Sequence, residues 1–304
     1  MTTDPLGDPR PAPIRIGPRL FSWGERTWVM GILNVTPDSF SGDGLLATAD
    51  PAAAALERGR RMVADGADIL DIGGESTRPG HDRVADDAEI ARVGPIVAAL
   101  RSALPATPLS IDTTKVAVAA AALDAGADLI NDVWGVSPDD DLLRLAADRG
   151  VPIVLMHNRA EAGYANLIAE VVADLEDAIE RAVRAGVERD AILVDPGFGF
   201  GKTAEHNLEL LRGLGDLRAL GRPILLGTSR KSTLGKVLDL PPDERVEATL
   251  VTTALGIAAG VDLVRVHDVR ENVRAARMTD AIVRGATLAT APATASPRHE
   301  GALP

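Results

Sequence analysis

The chain has 304 residues, of which 46% are hydrophobic and 25% are charged, a balance typical of a folded globular protein with one large or two average domains. Its 44 acidic residues outnumber 32 basic ones, and the net charge of −12 argues against general binding to nucleic acid or anionic membranes. The absence of cysteine excludes disulfides and thiolate metal sites and fits a cytoplasmic location. No signal-peptide pattern or bilayer-length apolar run is visible, so we expect no membrane partner.

The two ends of the chain differ in composition from its middle. Residues 1–18 and 287–304 are rich in proline and polar residues, so we expect a flexible N-terminal segment and a disordered C-terminal tail around one domain, residues 19–286. At the start of that domain, residues 20–23 and 27–33 flank a glycine-containing turn. This pattern predicts a hairpin that leads into the first long strand.

The rest of the domain repeats one unit: a short strand of Ile, Val and Leu, a polar or glycine-rich loop, an alanine-rich helix and a glycine stop. The predicted strands lie near residues 28–34, 69–73, 108–112, 128–132, 152–157, 192–195, 223–228 and 262–267. The predicted helices lie near residues 50–65, 86–103, 115–125, 138–149, 166–185, 204–212, 230–259 (broken at Pro241 and Pro242) and 270–284.

Eight strand–helix units of this kind match a single-domain α/β protein, the (β/α)8 TIM barrel, for which about 250 residues are typical. We expect the N-terminal hairpin to close the bottom of the barrel. The alternative is an open doubly wound sheet, but the glycine fingerprint that usually follows its first strand is missing.

The stretch of residues 192–203, ILVDPGFGFGKT, combines a strand, an acid and a glycine-rich loop. It resembles the end of a nucleotide-binding P-loop, but that motif requires glycine where this chain has Pro196. Lys202 is then either a functional cation or a solvated loop charge. Phe198 and Phe200 are two of only four phenylalanines, and they either form a wall for an aromatic substrate or anchor the loop to the core.

Polar residues follow every predicted strand, although a single acid there is often only a helix N-cap. In a barrel all of them converge on one mouth, where active sites of this fold lie. Asp112, Asn131 and Asp195 offer acceptors to a heterocycle with N–H donors, and Lys231 offers it a donor. The full set is Asn34, Glu75, Asp112, Asn131, Asp132, His157, Asn158, Asp195, Ser229, Arg230, Lys231, Arg265 and His267.

A second group of these residues suits an anion. Arg265, His267 and Asn34 can contact phosphate oxygens, and arginine also stacks on flat rings. The histidines show no transition-metal spacing. The hard oxygens of Asn34, Asp38 and Asp43 instead suit Mg²⁺ that is held mostly by a substrate's phosphates.

Six blocks of the sequence, taken in order, resemble the dihydropteroate synthase family of pterin-binding barrels. They are MGILNVTPDSF (30–40), DIGGESTRPG (71–80), SIDT (110–113), INDVWG (130–135), DPGFGFGKT (195–203) with SRKS (229–232), and RVHD (265–268). The resemblance implies a transferase of folate synthesis that joins 6-hydroxymethyl-7,8-dihydropterin diphosphate to 4-aminobenzoate and releases pyrophosphate. It also implies Mg²⁺ as the cofactor and a homodimer.

The resemblance also implies roles for individual residues. The pterin site comprises Asp112, Asn131, Asp195, Lys231 and Arg265, the last lying against the pterin face. The diphosphate site comprises Asn34, Arg265 and His267, with Asn34 also at the Mg²⁺ ion. The aminobenzoate site comprises Thr77, Arg78, Pro79, Phe200 and Ser232, the last at a helix start that faces the carboxylate. The catalytic set is Asn34, Lys231, Arg265 and His267, and the implied route loses diphosphate before the amine attacks.

Two departures from the family pattern accompany this resemblance. The acid of the first loop, Asp43, lies one position later than usual, and residues 157–160 differ after the fifth strand and receive no role. Three alternatives stay open: a methyltetrahydrofolate–corrinoid methyltransferase with the same barrel, a non-catalytic pterin-binding paralogue, and a Schiff-base lyase that uses Lys231.

Overall fold

The computed structural model describes residues 10–36, 50–75, 83–136 and 139–285. The predicted C-terminal tail, residues 287–304, lies outside the described residues, and so do residues 1–9 of the predicted N-terminal segment. In the described part of the chain, none of the helices has both the length and the apolar character needed to cross a membrane.

Two short strands, β1 (Ile14–Ile16) and β2 (Arg19–Phe21), precede eight parallel strands. These are β3 (Trp28–Asn34), β4 (Ile69–Gly73), β5 (Leu109–Asp112), β6 (Leu129–Asp132), β7 (Ile153–Met156), β8 (Ile192–Asp195), β9 (Leu225–Leu226) and β10 (Leu263–Val266). Their order in the sheet is β8-β7-β6-β5-β4-β3-β10-β9. A bridge between Val194 and Ile224 joins the two ends, so the sheet curls into a barrel. The (β/α)8 prediction is confirmed, and the open-sheet alternative is wrong.

One helix follows each of these strands, except that two helices lie between β9 and β10, and the helices cover the outside of the barrel. They are α1 (Pro51–Ala64), α2 (Asp86–Ala103), α3 (Val116–Asp124), α4 (Asp141–Arg149), α5 (Leu167–Arg184), α6 (Ala204–Arg212), α7 (Ser232–Leu238), α8 (Val246–Ala258) and α9 (Val269–Val283). The predicted break at Pro241 and Pro242 separates α7 from α8, because proline lacks the N–H that a continuous helix requires.

In β4, β6, β8 and β10 the side chains that point into the barrel change from apolar to polar along the strand. Near the amino ends of the strands, Met30, Ile69, Leu129 and Leu193 belong to one buried apolar cluster. Two residues further along a strand the side chain points inward again, because the side-chain period of a strand is two. In β6 and β8 the two-residue step leads from those leucines to Asn131 and Asp195, so the apolar layer supports a polar one near the mouth.

The N-terminal hairpin seals the apolar end, but its strands differ from the predicted ones. β1 and β2 pair antiparallel, with Ile14 opposite Phe21, so the described part of the predicted flexible segment forms one arm of the hairpin. Ile16 and Phe21 are 0% exposed and pack into the apolar cluster of the barrel. Arg19 and Arg26 both donate to Asp68, at 2.8 and 2.6 Å, which ties the hairpin to the start of β4. The prolines of this segment interrupt the alternation of apolar and polar residues from which a strand is predicted. Its strands form because their apolar residues pack against the barrel.

Candidate active site

Arg265 lies between two buried carboxylates inside the barrel. Its Nε donates to Asp71 at 2.5 Å and its Nη2 donates to Asp112 at 2.5 Å. Asp71 is 0% exposed and Asp112 is 7% exposed. Burial raises the pKa of Asp112, and the guanidinium of Arg265 opposes that rise. Burial alone would lower the pKa of Arg265, but the two carboxylates raise it. The guanidinium is therefore charged and fixed in one orientation.

Asp71 is the member of this cluster that sequence reasoning missed. It also accepts a hydrogen bond from the Asn131 side-chain amide at 3.2 Å, so it connects Arg265 to a predicted pterin residue. The pattern of polar residues at the carboxyl ends of the strands does not include Asp71, because Asp71 is in the middle of β4. The available signal was an acid within an otherwise apolar strand, because a buried carboxylate requires a charged or hydrogen-bonding partner.

Three polar atoms in this layer have no hydrogen-bond partner among the described residues. They are Asp71 Oδ1, Ser110 Oγ and Asp112 Oδ1, each with almost no solvent contact. Asp71 and Ser110 are paired neighbours in β4 and β5, so two of these atoms belong to adjacent residues. Buried polar groups in native proteins are usually hydrogen-bonded. Two carboxylate oxygens and a hydroxyl suit a ligand that presents several N–H donors.

Asp195 and Lys231 carry opposite charges on the other side of the mouth. Asp195 Oδ1 accepts from the Gly197 amide at 2.7 Å. Lys231 Nζ donates to the Phe198 carbonyl and lies 4.3 Å from the centroid of the Phe200 ring. Burial lowers the pKa of Lys231 to about 8, and the Asp195 carboxylate opposes the decrease. Burial likewise raises the pKa of Asp195, and Lys231 is the strongest opposing influence. The two groups therefore stabilise each other's charge.

The glycine-rich loop after β8 gives its two phenylalanines different surroundings. Phe198 is 0% exposed and belongs to the main apolar core, whereas Phe200 is half-buried. The first therefore anchors the loop, and the second is available as a wall of the pocket. Gly197 has a φ of +70°, and a Cβ there would overlap the His157 carbonyl oxygen. A residue without a side chain is required at this point of the loop.

Two pairs of residues join the turn of residues 229–232 to the segment that follows β10. The His267 amide donates to Ser229 Oγ at 3.1 Å, and His267 Nδ1 lies 2.9 Å from the same oxygen. Arg230 donates to the Asp268 carboxylate from Nε at 3.0 Å and from Nη2 at 2.5 Å. Arg230 has a φ of 57°, a left-handed conformation that is rare for a side chain of this size. Together these contacts fix Lys231 relative to His267.

Comparison with known proteins agrees with this geometry. The family described as "Pterin binding enzyme" matches residues 30–267. A dihydropteroate synthase of Clostridium beijerinckii is 51% identical over 272 residues, which is 89% of this chain and 100% of the relative. The chain belongs to the dihydropteroate synthase family.

Solved structures of the family share the same barrel. The Yersinia pestis dihydropteroate synthase, solved with a sulfonamide drug, has a TM-score of 0.84 and 38% identity over 91% of this chain and 100% of that chain. The Xanthomonas albilineans enzyme, solved with 7,8-dihydropteroate, has a TM-score of 0.78 and 38% identity over 89% of this chain and 98% of that chain. These comparisons favour neither the methyltransferase nor the non-catalytic paralogue.

The structure reaches only part of the aminobenzoate site that the resemblance to dihydropteroate synthases implies. Ser232 is exposed at the first position of α7, and Phe200 lies beside Lys231. Thr77, Arg78 and Pro79 lie outside the described residues, as do Asp38 and Asp43 of the first loop. The alternative of Lys202 as a solvated loop charge is wrong, because it is half-buried and hydrogen-bonded within its own loop.

Asn34 ends β3, half-buried at the mouth of the barrel. No group of three or more metal-binding side chains occurs among the described residues. A cation cage made entirely by protein is therefore missing from that part of the chain. One neutral amide oxygen fits an ion such as Mg²⁺, which usually takes few protein ligands and completes its shell with phosphate oxygens and water.

Proposed function

We propose that this pocket joins 6-hydroxymethyl-7,8-dihydropterin diphosphate to 4-aminobenzoate, as a dihydropteroate synthase does. The bond between the pterin methylene carbon and the diphosphate oxygen breaks, and its electron pair leaves with pyrophosphate. The amine nitrogen of aminobenzoate then bonds to that carbon and releases one proton. The observation that carries the proposal is the polar layer around Arg265, which holds acceptors for a flat heterocycle and a cation for its leaving group.

The pterin lies across the polar layer in this proposal. Asp112, Asn131 and Asp195 accept from its ring N–H and amino groups, and Lys231 donates to its carbonyl and ring nitrogens. The orphan oxygens of Asp71 and Asp112 support this placement, because pterin donors would satisfy them. Arg265 is held by two carboxylates and lies flat against the ring, where guanidinium stacking is favourable. These carboxylates also stabilise positive charge that develops on the pterin.

The leaving diphosphate faces the opposite patch. Arg265, His267 and Asn34 contact its oxygens, and the contact of His267 with Ser229 keeps the imidazole in one orientation. Mg²⁺, held by Asn34 and the diphosphate, would neutralise charge on the leaving group when bound. The described residues that are assigned to the reacting atoms do not include a nucleophile. The protein instead orients both substrates and stabilises the charges that separate.

The proposed activity is tested by pyrophosphate release from the purified protein with Mg²⁺. We expect release only when both the pterin diphosphate and 4-aminobenzoate are present, with stoichiometric 7,8-dihydropteroate. Release that does not depend on 4-aminobenzoate would indicate a hydrolase instead. No release with both substrates, by a protein that still binds the pterin, would support the non-catalytic paralogue.

Phe200→Ala is expected to raise the KM for 4-aminobenzoate about tenfold and to leave the KM for the pterin diphosphate nearly unchanged. The half-buried ring supplies one wall for the aromatic substrate, and such a contact is worth roughly 1 kcal/mol beyond its buried area. The matched control is Phe198→Ala. That ring is fully buried, so its loss should lower the free energy of unfolding by about 3 kcal/mol or more. An unchanged KM for 4-aminobenzoate in Phe200→Ala would contradict the proposal that Phe200 forms a wall of the aminobenzoate site.

The protein is proposed to act in the cytoplasm as a homodimer that packs through α8 and α9. Val251 and Leu255 on α8, and Met278 and Ile282 on α9, are between 55% and 70% exposed. Each pair is four residues apart, so it shares one helix face, and the two helices pack together. Exposed apolar surface of this kind marks an association site. Sedimentation should give twice the mass of one chain, and Leu255→Asp should give the monomer.

A further inference from the structure

Lys202 belongs to the glycine-rich loop after β8 and has no part in the proposed substrate contacts. Its Nζ is 2.8 Å from His157 Nδ1, 3.1 Å from the Gly197 carbonyl oxygen and 3.1 Å from the Phe200 carbonyl oxygen. An ammonium group carries three N–H donors, and these acceptors can take all of them. Burial lowers the pKa of Lys202 to about 7, and the Asp195 carboxylate opposes that decrease.

His157 is arranged to accept from this lysine. Its side chain is 0% exposed, and Nε2 lies 3.0 Å from Asp174 Oδ2. A carboxylate only accepts, so Nε2 carries the proton and Nδ1 is left with its lone pair toward Lys202. Burial lowers the pKa of His157 to about 4, and the charge of Lys202 acts in the same direction, so the ring is neutral at pH 7. Arg159 Nε donates to Asp174 at 2.8 Å, so this carboxylate is held by both Arg159 and His157.

The hydrogen bonds of Lys202 fix the backbone of the glycine-rich loop around Phe200. Lys202 binds the carbonyls of Gly197 and Phe200, and the Phe200 amide donates back to the Gly197 carbonyl at 3.1 Å. The peptide groups on both sides of the Phe200 Cα are thereby fixed. Tyr164 Oη donates to the next carbonyl, that of Gly201, at 2.8 Å. The direction of the Phe200 ring then depends on the hydrogen bonds that Lys202 and Tyr164 make to the loop backbone.

We propose that Lys202, supported by His157 and Asp174, is a positioning residue that fixes the Phe200 ring against 4-aminobenzoate. The inference rests on the proposed function, because it assigns Lys202 to the binding of one of the two substrates. Lys202 itself touches neither substrate, and its effect passes through Phe200.

The test is a double-mutant cycle of Lys202→Met and Phe200→Ala, read as KM for each substrate. Lys202→Met should raise the KM for 4-aminobenzoate about tenfold, within the range of coupling between contacting residues, and leave the pterin diphosphate KM within about twofold. The double variant should resemble Phe200→Ala alone, because a misplaced ring and an absent ring lose the same contact. Lys236→Met, on the exposed side of α7, is the matched control and should leave both KM values unchanged.

Asp174→Asn provides a second arm in case Lys202→Met does not fold. It keeps the shape of the side chain but removes the carboxylate that orients His157, so we expect an increase of about threefold in the aminobenzoate KM alone. Additive effects of Lys202→Met and Phe200→Ala would overturn the inference, and so would equal increases in the KM values of both substrates. An absence of pyrophosphate release by the unaltered protein would instead overturn the proposed function, so the two failures are distinguishable.

Discussion

Arg265→Met is expected to reduce pyrophosphate release at least about 100-fold and to lower the free energy of unfolding by roughly 3 kcal/mol. The activity falls because the variant loses the cation that is proposed to face both the pterin ring and the leaving diphosphate. The stability falls because Asp71 and Asp112 are buried and would both lose their guanidinium partner. Removing one partner from a buried ion pair costs more than the pair itself contributes, since the remaining charge has no water around it.

The stability loss in Arg265→Met should depend on pH. Burial already raises the pKa of Asp112, and loss of the guanidinium would raise it further. The folded variant then binds more protons than the unfolded chain, so its free energy of unfolding decreases as pH rises. Urea denaturation at pH 6 and pH 8 measures this, and we expect the larger deficit at pH 8.

Two controls separate these effects. Arg270→Met removes an exposed arginine at the start of α9 and should change neither stability nor activity by a measurable amount. Arg265→Lys keeps a positive charge but cannot bridge both carboxylates as the planar guanidinium does, so it should recover part of the stability and little of the activity. A full recovery of activity in Arg265→Lys would contradict the stacking role.

Lys231→Met should lower kcat/KM for the pterin diphosphate about 10- to 100-fold, which is the usual effect of losing a hydrogen bond from a charged donor. Methionine has a similar length and suits buried surroundings, so the variant should still fold, with a lower free energy of unfolding because Asp195 loses the cation that stabilises its charge. The KM for 4-aminobenzoate should change less, because the ammonium is assigned to the pterin. Equal losses for both substrates would indicate that Lys231 supports the whole loop rather than the pterin site.

The unaltered enzyme should lose kcat/KM for the pterin diphosphate as pH rises through about 8. Burial lowers the pKa of Lys231 to about 8, and only the protonated amine is a charged donor. Since kcat/KM reports groups of the free enzyme, the alkaline limb follows that pKa. Lys231→Met should have no such limb, and Lys231→Arg should shift it upward because a guanidinium stays charged. A limb that persists in Lys231→Met would assign the titration to another group.

The sequence indicated most of the elements because their signals are local. Strands of Ile, Val and Leu, alanine-rich helices and glycine stops each occupy fewer than about 20 residues, and the structure places β3, β4, β8 and α6 at the predicted bounds. The polar residues at the mouth were also predictable, because the carboxyl ends of parallel strands must meet at one mouth. Asp112, Asn131, Asp195 and Arg265 therefore needed only the fold class to be placed together.

The tertiary structure decided which of these groups are partners. Asp71 and Arg265 are 194 residues apart in the chain, and their contact exists because β3 lies between β4 and β10 in the closed barrel. The contact of Lys202 with His157 likewise depends on β7 and β8 being neighbours. The predicted bounds of the hairpin strands are wrong because these short strands are stabilised by the apolar layer that they cover, which is a tertiary contact. Local chemistry determined which residues face the mouth, whereas strand order and register determined which charges meet there.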